Sequence, residues 1–573
     1  MTKPLVFAGL AAALLAGPID TALGADYTPV TDARLTNPEP QNWLMTRGRY
    51  QGWSYSDLSK INAGNVKNLV PVWSFSTGVD SGHEAPPIVN DGIMFVATPY
   101  SQVVALDAAT GDLLWRYKRT IPEGFSALHN TSRGVALYGD KVYFPTLDAT
   151  LVALDAKTGK VDWEAKVEDW KTGYYMTLAP LIVKGKVMVG VSGGEFGIRG
   201  FIAAYDAETG KPVWKTYTIP EPGQPGSETW QKADTWKRGG GSAWMTGTYD
   251  PASDTVFWGT GNGSPWFGDQ RPGDNLYTSS TIALDPETGK MKGYFQYHQN
   301  DSWDWDTMNA PMVIDYQKDG STVKGLITPS RNGYLYWLER KPDGGISFVS
   351  ATPYVKQNVF KSINPETGRP DVDEAHKPGT GKEAAFCPSL WGGKDWPYEA
   401  YNPKTGMVYI PSNDNHCGHL NGKVEPYVAG QWWTGVAIPD IGFTVDKDAP
   451  FYGEIQAWNV DTGKRVWRDT YSNSMMWGSL LTTAGDLVFG GGTNDRYFRA
   501  YDAKSGEELW SFRTNSGIIA PPSTFEVGGV QYVAVESGYG VDPAFQQGLL
   551  SNLVGWQKDV PQGGVVWVFA LSK

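Results

Sequence analysis

Six segments of this chain repeat one eleven-residue sentence, and that repetition constrains the fold more than any single residue does. They read ALDAATGDLLW (Ala105 to Trp115), ALDAKTGKVDW (Ala153 to Trp163), AYDAETGKPVW (Ala204 to Trp214), ALDPETGKMKG (Ala283 to Gly293), AWNVDTGKRVW (Ala457 to Trp467) and AYDAKSGEELW (Ala500 to Trp510). In each, an apolar alternating run such as VVALD or FIAAYD predicts a strand with one buried face. Asp or Asn followed by Thr-Gly or Ser-Gly predicts a tight turn with glycine at positive φ, after which a second strand resumes. Five of the six copies end in Trp, whose ring can pack on the neighbouring unit while its indole N–H donates a hydrogen bond. Start-to-start distances of 48, 51 and 43 residues between adjacent copies suit one four-stranded propeller blade per copy. Unrelated hairpins that merely shared turn chemistry would not hold one register six times.

A length of 573 residues suits one large propeller, and 68 Gly, 25 Trp and 29 Tyr suit many short strands joined by tight turns. Long amphipathic helical periods are scarce. The balance of 49 basic against 61 acidic residues gives a net charge of −12 with no Lys/Arg run, which argues against nucleic acid as a partner. The acidity suits a basic redox partner, although solubility alone accounts for it. Residues 1–24 read as a secretory signal peptide: Lys3 supplies the positive start, Leu5 to Leu15 the apolar core, and Ala22-Leu23-Gly24 a small-residue cleavage site before Ala25. That core is too short for a permanent membrane anchor, and nothing later is longer. The expected organisation is therefore a leader over 1–24 and one exported, periplasmic domain over 25–573. Cys387 and Cys417 are compatible with one disulfide in an oxidising compartment. Their spacing of 30 is no metal signature, and no Cys-x-x-Cys-His motif for attached haem occurs.

A propeller gathers loops from every blade along its axis, so polar residues in Gly-rich apolar stretches are the site candidates. Four segments qualify: Val191-Ser-Gly-Gly-Glu195-Phe-Gly-Ile-Arg199-Gly; Gly239-Gly-Gly-Ser242-Ala-Trp244 with Trp258-Gly-Thr-Gly-Asn262-Gly; Trp303-Asp304-Trp305-Asp306; and Thr328-Pro-Ser-Arg331-Asn332-Gly. Glu195 sits among glycines that let a ligand approach the backbone closely. If residues 303–306 form a strand, Asp304 and Asp306 share one face between aromatic walls. Three carboxylates and the Asn262 amide oxygen, without Cys or His, describe a hard-cation site.

In these segments and their order, as in the Trp repeats, the chain resembles the pyrroloquinoline quinone (PQQ)-dependent alcohol dehydrogenases of the methanol/ethanol type. The resemblance runs from WSYSDLSKINAGNVKNLVPVWSFSTG to the last Trp repeat. It implies an all-β, eight-bladed propeller with Trp-docking repeats, PQQ, and one Ca²⁺ or lanthanide ion. It also implies oxidation of an alcohol to an aldehyde or ketone, with a separate soluble cytochrome c as acceptor. Glu195 and Asn262 match the family's metal ligands, Asp304 its catalytic base and a further ligand, and Arg331 the cation at the quinone oxygens. Trp244 matches the indole under the flat cofactor, and Trp477 a second aromatic at its rim. Glu84, Arg133, Thr177, Ser192, Gly193, Gly194 and Ser242 match positions that hold the cofactor's carboxylates and ring nitrogens; Cys387 and Cys417 match a structural disulfide. Hydride transfer and a covalent hemiketal route are both compatible with these residues, and a homodimer is left open.

The chain departs from the family pattern at three places. Where most members set two adjacent cysteines over the quinone, this sequence has Ala127 and Leu128. Leu128, with Phe125, is expected to cover that face and to admit a bulkier alcohol than methanol. Asp306 stands two residues after the base, as in lanthanide-dependent members. There it is either a further anionic ligand favouring a trivalent ion or a mere partner of a backbone N–H. Asp395 replaces the usual Asn near the cofactor, with Lys394 beside it to neutralise it. The rival readings are a non-catalytic propeller scaffold, a sugar-oxidising quinoprotein, and the same chemistry on bulky secondary alcohols or polyols such as polyvinyl alcohol or a terpenoid toxin.

Overall fold

The computed structural model describes residues 27–556 and 559–572, so the leader expected over 1–24 lies outside the described residues. Strands dominate the described residues, forming seven four-stranded sheets, one five-stranded sheet and three smaller ribbons. Four of the eight large sheets are antiparallel meanders of consecutive strands; Ile88–Asn90, Ile93–Thr98, Gln102–Asp107 and Leu113–Lys118 form one of them. Another sheet joins the two ends of the chain, with Leu69–Ser76 pairing antiparallel with Val565–Leu571 from Leu69↔Leu571 to Ser76↔Val565.

The turn chemistry behaves as its residues dictate. Asp107 Oδ1 accepts from the backbone N–H of Ala109 and of Thr110 at 2.9 Å each, and Gly111 follows at φ 80°. The corresponding glycines 159, 210, 289, 463 and 506 lie between φ 63° and 79°. Each repeat Trp then docks on the next unit. Nε1 of Trp73, Trp115, Trp163 and Trp214 donates to the carbonyl of Ala108, Ala156, Ala207 and Pro286 at 2.9–3.2 Å. Trp467 donates to Ala503 and Trp510 to Leu69 in the same way. The ring lies flat on the turn glycine: a Cβ on Gly159 would meet the Trp115 ring at 2.4 Å and one on Gly210 the Trp163 ring at 2.6 Å. Glycine is thus required twice in five of the six repeats, for its φ and for the ring above it; at Gly463 the nearest ring atom, of Trp337, would stand 3.8 Å from a Cβ, so there only φ asks for glycine. The Gly293 copy lacks Trp because its Cα is pressed against the backbone of Gly344 and Gly345, where a Cβ would come within 2.6 Å of a carbonyl oxygen.

Two expectations need correction. The apolar runs do not have one buried face: strands Gln102–Asp107, Thr150–Asp155 and Phe201–Asp206 are buried on both faces until their last residue. They lie inside sheets covered on both sides, and only the outer strands, such as Val161–Lys166, alternate towards solvent. A further copy of the turn, Asn364-Pro-Glu-Thr-Gly368, escaped the pattern because no Ala-x-Asp precedes it; Asn364 Oδ1 accepts from Glu366 and Thr367, and Gly368 packs on Phe295 and Phe348.

Glycines also bring the site segments together. A Cβ on Gly190 would strike the Ala243 carbonyl at 2.0 Å, and one on Gly259 the Thr307 carbonyl at 2.3 Å. Ala243 N–H donates to Val191 O, Gly261 N–H to Ser242 O and Thr307 N–H to Thr260 O. Backbone laced to backbone in this way aims Ser192, Glu195, Ser242, Trp244, Asn262 and Asp304 at one place. Helix Val541–Val554, the longest among the described residues, lies at the edge of that place.

Candidate active site

The converging segments enclose a cavity of about 290 Å³. Of the expected site residues, Leu128, Arg133, Thr177, Ser192, Gly193, Glu195, Ser242, Trp244, Asp304, Asp306, Arg331 and Asp395 line it.

Its floor is an acidic cluster held by one guanidinium. Asn262 Nδ2 donates to Asp304 Oδ1, and Asn262 N–H to Asp306 Oδ1. The second oxygen of Asp306 accepts from Trp244 Nε1 at 2.6 Å. Arg331 donates to the Asp304 carbonyl at 2.9 Å, lies 3.8 Å from its Oδ2, and binds Asp395 Oδ1 at 2.6 Å. Burial pushes the Glu195 carboxyl up to about 7, with the Asp306 charge adding to the rise. Burial likewise lifts Asp304 well above the usual carboxylate range, Arg331 opposing and Asp306 and Glu195 reinforcing the shift. Burial also raises Asp306 and lifts Asp395 to about 6, in both against Arg331.

Residues 303–306 are not a strand. Asp304 lies at φ 64°, a sparsely populated conformation for a non-glycine residue. The loop is held by Asp301, whose carboxylate accepts from the backbone N–H groups of Trp303, Asp304 and Trp305 and from His298 Nε2 at 2.9 Å. Trp303 and Trp305 are not walls of the site: they stack on each other with centroids 5.1 Å apart and are fully buried behind it. Lys394 does not neutralise the Asp395 carboxylate. Its Nζ pairs with Glu399 at 3.2 Å and reaches only the Asp395 carbonyl, while Glu399 also holds Arg47 at 2.9 Å.

On the opposite wall Glu84, Arg133, Thr177 and Ser192 form a buried chain. Arg133 pairs with Glu84 at 2.8 Å and donates to Thr177 Oγ1 at 2.6 Å, and Thr177 and Ser192 hydroxyls lie 3.1 Å apart. Burial lifts the Glu84 carboxyl to about 7 despite Arg133. The Arg133 guanidinium stands 4.6 Å from the Trp244 ring centre. A Cβ on Gly194 would meet Ser242 Oγ and Asn262 Oδ1 at 3.3 and 3.4 Å, so the glycine keeps the wall open where those oxygens face. Trp477 is packed behind the cavity, donating to Gln546 of the C-terminal helix. Leu128 lines the cavity, but Phe125 turns away onto Trp170 and Ala127 joins a small cluster with Leu147, Tyr175 and Phe196. Cys387 and Cys417 form a disulfide.

Several lining residues were not legible from the segments. His129 faces Asp542 of the C-terminal helix at 3.3 Å, and Trp391, Trp432, Ile438, Ile441 and Phe545 complete an apolar mouth. They come from loops and a helix that no repeat marks; a polar His129 beside the lid position was the one available signal.

These residues fit a flat polyanion and a hard cation. Nε of both Arg133 and Arg331 is buried without a hydrogen-bond partner, leaving donors for an anionic group. Among the described residues no three His, Cys, Asp or Glu side chains form a ready-made cage. An ion at the floor would therefore draw donors from Asn262 and from the cofactor as well as from carboxylates.

Comparison with known proteins agrees with this chemistry. The family model for the PQQ glucose/ethanol/alcohol dehydrogenase β-propeller domain matches residues 43–359 and 445–533. Quinoprotein alcohol dehydrogenase PedH of Pseudomonas putida is 38% identical over 98% of this chain and 96% of its own. The 1-butanol dehydrogenase (quinone) of Thauera butanivorans is 35% identical over 91% of this chain and 90% of its own. Among solved structures, a europium-containing methanol dehydrogenase superposes with a TM-score of 0.87 at 35% identity, covering 94% of this chain and all of that one. With its glycine-laced site, its Trp-docked sheets and these relatives, the chain belongs to the family of PQQ-dependent quinoprotein alcohol dehydrogenases.

Proposed function

We propose that the eight large sheets are the blades of a closed propeller and that the cavity at their convergence oxidises an alcohol to an aldehyde or ketone. The observation that carries the reading is the floor itself: buried, mutually repelling carboxylates of Asp304, Asp306 and Glu195 facing one guanidinium, a combination that protein groups alone leave short of positive charge. PQQ, when bound, supplies the two-electron acceptor. Trp244 would offer an aromatic face to the flat cofactor, and Arg133, Thr177, Ser192 and Ser242 would donate to its carboxylates. Glu195, Asn262 and Asp304 would hold the cation.

Asp304 is the base. Its place at the floor sets its carboxylate to receive the alcohol proton, and a cation held there would keep it ionised despite burial. Arg331, fixed by Asp395 and by the Asp304 carbonyl, donates to oxygen on which negative charge develops. Asp306 orients Trp244 and the Asn262 backbone while adding a fourth negative group near the cation, counting Glu195, Asp304 and the cofactor's own carboxylate; that charge favours a trivalent ion over Ca²⁺. Export to the periplasm behind a cleaved leader, and electron delivery to a soluble cytochrome c, complete the reading.

The test is reconstitution with PQQ plus Ca²⁺ or La³⁺ and dye reduction on methanol, ethanol, secondary alcohols and polyols. La³⁺ is expected to give the higher rate, and Asp306→Ala to narrow the gap. Equal rates with both ions, unchanged in Asp306→Ala, would remove the lanthanide reading and leave the dehydrogenase standing.

A further inference from the structure

The cavity contains one polar pair that the oxidation chemistry does not use. His129 and Asp542 both line it, one from the segment where relatives carry adjacent cysteines and one from the first turn of helix Val541–Val554. Their side chains meet at 3.3 Å yet stay partly open, at 18% and 27% exposure. His129 Nδ1 is buried beside the Leu128 backbone, with no side-chain partner. Around them the mouth is apolar, formed by Leu128, Trp391, Trp432, Ile438, Ile441 and Phe545.

Charge excludes the cofactor as the reason for this pair. An anionic cofactor would find its cationic partners in Arg133 and Arg331, and the Asp542 carboxylate would repel it. The first turn of the helix favours a carboxylate at Asp542, but its position on the cavity wall facing His129 is one that an anionic ligand does not explain. A neutral substrate that buries an apolar body against Trp391, Trp432 and Phe545 meets, on one wall, a carboxylate that accepts and an imidazole that donates or accepts.

Resting on the dehydrogenase reading, we infer that His129 and Asp542 are a specificity-determining pair that hydrogen-bonds a second hydroxyl on the substrate, remote from the carbinol being oxidised. The preferred substrate class is a bulky, uncharged, largely apolar alcohol carrying another hydroxyl group. Alcohols bearing a carboxylate are disfavoured by Asp542. A site built to hydrogen-bond a hydroxyl discriminates strongly against the analogue lacking it, because its buried polar atoms are then left unpaired.

The experiment compares cyclohexane-1,3-diol and cyclohexane-1,4-diol with cyclohexanol on the reconstituted holoenzyme, as the ratio of kcat/KM for diol over mono-ol. The ratio is expected to be at least about tenfold for one diol in the unaltered protein, and to fall below about twofold in His129→Phe and in Asp542→Leu. A pair that merely braced loop against helix would lower both substrates alike and leave the ratio unchanged, which overturns the inference, as does the absence of any diol preference in the unaltered protein. Calorimetric titration with 1,4-dimethylcyclohexane-1,4-diol against 1-methylcyclohexanol, tertiary alcohols that carry no carbinol hydrogen to lose, reads the diol preference as a ratio of Kd without turnover. Failure to oxidise any alcohol sinks the dehydrogenase reading, while the binding ratio still decides the role of the pair.

Discussion

The docking of Trp on glycine sets the cost of adding a single methyl group at the turn. Gly210 lies at φ +68°, and a Cβ there would stand 2.6 and 2.7 Å from two atoms of the Trp163 ring. The ring cannot easily yield, because Nε1 donates to Ala207 O at 3.1 Å and its face packs on Tyr143 with centroids 5.8 Å apart. In Gly210→Ala the left-handed backbone costs about 1 kcal/mol. Opening the contact by roughly an ångström adds overpacking of about 1–3 kcal/mol and the loss of a hydrogen bond worth about 1 kcal/mol. The total is about 3–5 kcal/mol. Gly223→Ala is the control: φ is +90° and nothing lies within 4 Å of the added atom, so only the backbone term of about 1 kcal/mol applies. Unfolding rates in guanidinium, preferable to a scanned midpoint for a chain of this size, would be measured for both variants alone and for Gly210→Ala in a Trp163→Ala background. The excess over the control should disappear in that background, a coupling of about 2 kcal/mol or more. If Gly210→Ala unfolds no faster than Gly223→Ala, or the excess survives without Trp163, the docking account is wrong.

Further outcomes follow from the site and the buried histidines. Asp301→Asn puts an amide N–H among the three backbone N–H groups and the imidazole that its carboxylate now binds. It should leave the sheets folded, by circular dichroism, while misplacing Asp304 enough to reduce kcat on the order of 100-fold. Burial depresses His83 and His416 to about 4, so the folded protein keeps them neutral while the unfolded chain protonates from about 6.5 downward. The stability each contributes, about 3 kcal/mol, is therefore present above about 6.5 and lost as pH falls towards 4. His416→Gln should flatten that loss in urea titrations between pH 7 and 4; an unchanged slope would show that His416 protonates freely in the folded state.

The frame was legible because its chemistry is local. Asp, Thr and Gly within five residues specify the turn, and Trp reports a neighbour at a fixed offset. The sequence of site segments was legible because glycines mark where backbones touch, as at Gly190 against Ala243. What escaped was set by contacts far apart in the chain. The path of residues 303–306 depends on Asp301 and His298 gripping three N–H groups, so a period of two could not place Asp304 and Asp306, although both reach the cavity. Lys394 follows the distant Glu399 and Arg47 rather than its neighbour Asp395. Trp477 turns to Gln546, and the mouth is built from loop 432–441 and a C-terminal helix outside every repeat.

The most direct test of the central claim is the turnover of purified protein loaded with PQQ and either Ca²⁺ or La³⁺, comparing the unaltered chain with Asp304→Asn. The unaltered protein should reduce an artificial dye with at least one alcohol and release the matching aldehyde or ketone. Asp304→Asn should still bind PQQ, seen in its absorbance, yet turn over about 10²–10⁴-fold more slowly. Bound PQQ with no dye reduction on any alcohol, or an Asp304→Asn variant as fast as the unaltered protein, would contradict it.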